Sequence, residues 1–74
     1  MSRDAIRGFG GKIIGWMETD NKGNMIIRNF YGQIVSKYDA QLDVTRDFYG
    51  RQLTHGNTAV AQLYNPESNP SYNK

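Results

Sequence analysis

His55 is the only histidine of this 74-residue chain and cysteine is absent, so no set of imidazole or thiolate ligands exists to hold a transition metal. No serine stands in a setting like a nucleophile elbow, and the carboxylates fall about one per turn rather than in pairs suited to acid–base hydrolysis. These residue types point away from an enzyme: no catalytic, cofactor-binding or metal-binding residue is expected. What remains is contact chemistry. Phe9, Phe30, Tyr31, Phe48, Tyr49 and Trp16 are candidate interaction residues, because aromatic rings offer large contact area for little lost rotamer freedom. Arg7, Arg28 and Arg46 are candidate anion contacts through charge-assisted hydrogen bonds.

Each group also has a plainer structural use. The rings could fold back and cap the chain's own core, Trp16 could pack in that core beside Ile14 or against another subunit, and each arginine could lie across a strand to pair with a carboxylate such as Asp4, Asp43 or Asp47. The stretch RGFG at Arg7 matches the opening of an RNA-recognition signature, in which strand-borne aromatics stack on bases. The match stops after four letters, since Gly11, Lys12 and Ile14 stand where the signature has an aromatic, an aliphatic and a second aromatic.

An internal repeat explains the stretch better. RGFGGKIIG from Arg7, RNFYGQIVS from Arg28 and RDFYGRQLT from Arg46 align with Arg first, Phe third, Gly fifth and an aliphatic residue eighth: Ile14, Val35 and Leu53. The elements that must carry such a motif are hairpins. A three-residue loop built on a type I turn wants Asp or Asn at its first position and a left-handed Gly at its fourth. Asn29–Gly32 and Asp47–Gly50 satisfy this, Asp20–Gly23 repeats it between copies, and Gly8–Gly11 is a looser version.

Reading outward from these turns places strands at 5–9, 12–20, 25–30, 33–39, 43–48, 51–55 and 58–64, all rich in Ile, Val, Thr, Tyr and Phe. No window holds a helical apolar stripe. The expected fold is an all-β antiparallel meander of three hairpin repeats, a single domain over 1–64, with 65–74 a polar, proline-containing flexible tail. The seventh strand, TAVAQLY, alternates small and apolar residues in a way suited to pairing across a subunit boundary.

Gly11–Met17 (GKIIGWM) and Gly23–Lys37 (GNMIIRNFYGQIVSK) resemble the hairpin repeats of the small bacterial proteins described as β-flowers. The resemblance spans residues 7 to 55 and implies a barrel-like or radial arrangement of hairpins; it implies no activity, because that family is largely uncharacterised.

A chain of this length hides only about 60% of the surface it exposes when unfolded, and this one has neither disulfides nor metal ligands to compensate. Association is the remaining remedy, so a homo-oligomer, a dimer or larger, is expected, with a protein partner as the other binding mode. Nucleic acid is the alternative ligand class, disfavoured by nine Lys and Arg against seven Asp and Glu, a formal charge of only +2 that is scattered along the chain. No apolar run reaches the roughly 20 residues that span a bilayer, so no membrane association is expected; the lack of cysteine fits a cytoplasmic protein.

Overall fold

The computed structural model describes residues 2–65 and 69. Six strands follow one another along the chain: β1 (Ser2–Arg7), β2 (Ile13–Thr19), β3 (Met25–Asn29), β4 (Ile34–Asp39), β5 (Val44–Asp47) and β6 (Gln52–His55). Every strand pairs antiparallel with its sequence neighbour, giving one six-stranded meander whose edges, β1 and β6, are not joined to each other. The fold is all-β, and the sheet is open rather than closed into a barrel. Among the described residues no helix is long and apolar enough to cross a membrane.

The turns follow from local chemistry. In the second hairpin the Gly32 amide donates to the Asn29 carbonyl at 3.0 Å and the Asn29 amide donates to the Gln33 carbonyl at 2.9 Å. The Asn29 side-chain oxygen meanwhile accepts from the amides of Tyr31 and Gln33. Asp47 makes the same pair of contacts with Tyr49 and Arg51, and Asp20 with Lys22 and Asn24. Gly32 and Gly50 stand at φ 84° and 92°, a left-handed backbone that a Cβ makes costly. Gly8 has no side chain to accept these amides, and the first tip, Phe9–Gly11, is a 3₁₀ turn instead.

One feature of the repeat acquires its meaning only in the paired sheet. The register skips a residue in each hairpin: Ile6 pairs with Gly15 but Arg7 with Ile13, Ile27 with Ser36 but Arg28 with Ile34, and Thr45 with Thr54 but Arg46 with Gln52. The skipped residues are Ile14, Val35 and Leu53, the eighth position of every copy. Each is therefore a β-bulge, which adds a residue and re-aims the side chains beside it. Val35 is wholly buried in the core and Ile14 packs against it, whereas Leu53, at the edge, remains 37% exposed.

The segment expected as a seventh strand is not one. The chain leaves the sheet at Gly56 (φ 82°), whose amide donates to the Asp43 carbonyl, and Val60–Tyr64 forms a 3₁₀ helix laid across β2, β3 and β4. Ala59 and Leu63, four residues apart, both face the sheet and join Ile27 and Val35 in the core, with Ile6, Ile14, Met17 and Tyr38 around them. Ser36 donates its hydroxyl to the Ala59 carbonyl at 2.7 Å, and Thr45 donates to the Gly56 carbonyl while accepting the Thr58 amide. TAVAQLY thus supplies the lid of the molecule's own core, which withdraws the idea of strand pairing through it across a subunit boundary. Within the expected tail, Asn69 is buried, donating to the Leu63 carbonyl and accepting from the Asn29 side chain; residues 66–68 and 70–74 lie outside the described residues.

Candidate functional site

The hairpin tips present their aromatic residues to solvent. With Asn29 or Asp47 holding the turn from inside, the two central positions point away from the sheet, and Phe30, Tyr31, Phe48 and Tyr49 are 58%, 69%, 41% and 75% exposed. Phe30 and Tyr31 meet edge to face at 5.6 Å, and Phe48 lies tilted on Tyr49 at 4.0 Å. The rings therefore pack on each other rather than capping the core. Phe9 sits in the first tip, but its side chain falls outside the described ones.

The three repeat arginines perform one local task. Each donates through its guanidinium to the carbonyl of the tip glycine four residues on: Arg7 to Gly11 at 2.8 Å, Arg28 to Gly32 at 2.9 Å and Arg46 to Gly50 at 3.1 Å. The expected cross-strand pairing with a carboxylate holds for Arg28, with Glu18 as the partner across the β2–β3 ladder at 2.6 Å. Asp47 is taken by Arg51 at 2.9 Å, and Asp43 accepts from the Tyr38 hydroxyl. The hydrogen bond from Arg28, helped by its charge and that of Arg3, holds the Glu18 carboxyl below its ordinary value against the opposing effect of burial. Nor do the arginines converge. Arg28 lies opposite Trp16 and Arg46 opposite Lys37, so each hairpin is stepped along the strands relative to the last, and successive arginines are roughly 12 Å apart on a diagonal. That is too far for three to grip one small anion.

What the arginines share is a face. Residues directly opposite in a ladder project to the same side of a sheet, so the pairings define rows. One row crosses all six strands as Arg3, Glu18, Ile26, Lys37, Arg46 and Gln52; a second runs Ala5, Trp16, Arg28 and Ile34. This is the face opposite the 3₁₀ helix; Val44, on the same side as Arg46, is buried there, whereas Arg3, Lys37 and Gln52 are exposed. The alternate rows, with Met17, Ile27, Ser36 and Asp47, form the core face. Trp16 consequently stands away from the core and from Ile14, because the bulge at Ile14 turns that residue inward while Trp16 points out. Its ring is half-buried, with the Arg3 guanidinium 4.7 Å from the ring centre. A shallow depression on this face is lined by Glu18, Thr19, Asp20, Asn24, Ile26 and Arg28.

Sequence reading had no reason to single out Arg3, Lys37 and Ile26, since the bulges break the two-residue alternation that would have grouped them with Trp16. Among the described residues no three of His, Cys, Asp and Glu cluster in a way that could hold a metal ion. The arrangement offers rings, guanidinium groups and an ammonium, groups suited to binding. Comparison with known family models, curated proteins and solved structures gave no match.

Proposed function

We propose that this chain is a non-enzymatic β-repeat protein that acts by association, with copies of itself in the first instance, through its aromatic hairpin tips. The observation that carries the reading is the exposure of Tyr31 and Tyr49, 69% and 75%, on the tips of consecutive hairpins where turns ordinarily place polar residues. Four partly exposed rings on two tips, each of roughly 150–250 Å² in full, provide part of the about 800 Å² per partner that a standard interface buries. On this reading the radial arrangement implied by the β-flower resemblance belongs to the assembly rather than to the open sheet of one chain.

Replacing Tyr31 and Tyr49 together by Asn keeps the turn chemistry and removes the rings. With about 1–3 kcal/mol per buried ring, each loss weakens association by roughly 5- to 150-fold. Light scattering should then show the particle shifted towards monomer while the far-UV spectrum stays of β type. A wild-type protein that is monomeric at about a hundred micromolar, a concentration that populates even contacts of millimolar strength in part, removes the proposal.

A further inference from the structure

We propose that the open face of the sheet, centred on Trp16, is a binding surface for single-stranded nucleic acid. The pairing register segregates charge in a way that composition conceals. The strands carry five basic residues, Arg3, Arg7, Arg28, Lys37 and Arg46, and the pairing register sets all five on the open face. The core face takes none of them and bears Asp4 and Asp47 instead. Against the five stand two acidic strand residues, Glu18, already held by Arg28, and Asp39 at the end of β4 remote from the tips. Among strand residues alone the open side therefore carries +3, five basic less two acidic, and the core side −2.

The second observation is the ring in the middle of that face. Trp16 stands between Ala5, which is small, and Arg28, with the Arg3 guanidinium over its ring at 4.7 Å, so a base that reaches this site takes the place of Arg3 on the ring or stacks on the guanidinium itself. An aromatic platform bordered by guanidinium groups is the arrangement that accepts an unstacked base and its flanking phosphates, and it tolerates any sequence because every base has a π-face. Each repeat arginine spends one nitrogen on a tip carbonyl, a contact that fixes the guanidinium without exhausting its five donors. The roughly 12 Å steps that exclude a shared small anion suit a polyanion laid diagonally across the strands. Duplex is not the fit. Among the described residues no helix or ribbon protrudes from this face to enter a groove, and a paired base cannot reach Trp16.

The surface lies on the flat of the sheet and the aromatic tips at its end, so the two proposals fail separately. As the only tryptophan, Trp16 reports on its own site. Titration with a dodecamer of thymidine or uridine at about 20 mM salt should quench its fluorescence saturably, and three to five phosphate contacts predict a log–log salt slope of about −2 to −3.5. Arg3→Glu with Lys37→Glu, both exposed positions, should lower affinity for a labelled oligomer by more than about tenfold and flatten that slope. Trp16→Leu should weaken binding with the slope unchanged, and Tyr31→Asn with Tyr49→Asn should leave it intact; circular dichroism confirms that each variant is folded. A polyglutamate peptide and phosphatidylserine vesicles are the competing occupants. Quenching by either that equals the oligomer's overturns the proposal in favour of an acidic protein or a membrane. So does silence at low salt up to about 100 µM oligomer, a range that covers ordinary non-specific affinities. Unchanged binding by the charge-reversed protein also overturns it.

Discussion

Gly15 occupies a place where no side chain fits. A Cβ there would lie 2.3 Å from the Arg28 carbonyl oxygen and 3.2 Å from both methyls of Leu63, so the β2–β3 pairing and the 3₁₀ helix close on that point together. The equivalent residues of the other copies, Ser36 and Thr54, are small as well, and each holds the C-terminal segment with its hydroxyl, Ser36 at Ala59 and Thr54 at Thr58. Gly32 is glycine for a different reason: nothing stands within 4 Å of its would-be Cβ, but its φ is 84°. Gly15→Ala should therefore cost roughly 3 kcal/mol through overpacking. Gly32→Ala should cost about 1 kcal/mol through backbone strain alone. Urea midpoints of the two variants check this; equal shifts would mean that β2 can move away from the helix.

At the scale of elements, each hairpin is a self-contained device of five parts: an arginine clamped on the tip carbonyl, an inward Asn or Asp, a left-handed glycine, a bulge, and a small residue after it. The first copy lacks the Asn or Asp and turns through 3₁₀ geometry instead. What these hairpins cannot do is cover their own core, and that task falls to Val60–Tyr64. Leu63 is 2% exposed over Gly15 and Ile27, so Leu63→Ala should cost about 2–5 kcal/mol. A domain of this size holds roughly 4–11 kcal/mol in all, which makes that loss a large fraction. Ser36→Ala removes the hydroxyl from the Ala59 carbonyl and should cost about 1–3 kcal/mol. Both are read from denaturant unfolding followed by Trp16 fluorescence. A Leu63→Ala protein as stable as the wild type would show that the helix is an ornament of the sheet rather than its lid.

For the molecule as a whole, three carboxylates couple the fold to pH. Arg28 lowers Glu18 through its hydrogen bond, and the Lys22 amide leads the groups that lower Asp20. At Asp47 burial pushes the carboxyl up, but the Arg51 amide and guanidinium and the Tyr49 amide together outweigh it. All three sit below their ordinary values in the folded protein. The folded state therefore binds protons less readily than the unfolded chain, and the stability they contribute is present above the unfolded values of 4.5 and 3.8 and lost as pH falls through the folded ones. The melting temperature should be flat from neutral pH to about 5 and fall steeply below about 4. Asp47→Asn should flatten part of that fall while keeping the turn, since Asn29 holds the second hairpin with an amide. Melting curves at pH 7 and pH 3 measure the difference, and an unchanged acid loss would remove Asp47 from the set.

The turns were legible in the chain because their causes are local: an Asn or Asp that accepts two amides, and a glycine that tolerates a left-handed backbone, act within five residues of each other. Strand order followed, since loops this short join only antiparallel neighbours. The repeat letters were legible too, but the bulge role of Ile14, Val35 and Leu53 was not. A bulge exists only relative to the partner strand, and its presence decides on which side Trp16 emerges. The same holds for TAVAQLY, whose apolar letters suit a strand or a helical turn equally over seven residues. The uncovered core face, with Ser36 and Gly15 at its centre, is what selects the helical turn. The even scatter of charge along the sequence likewise became a basic face and an acidic one only when alternation, bulges and the covering segment assigned every side chain a side.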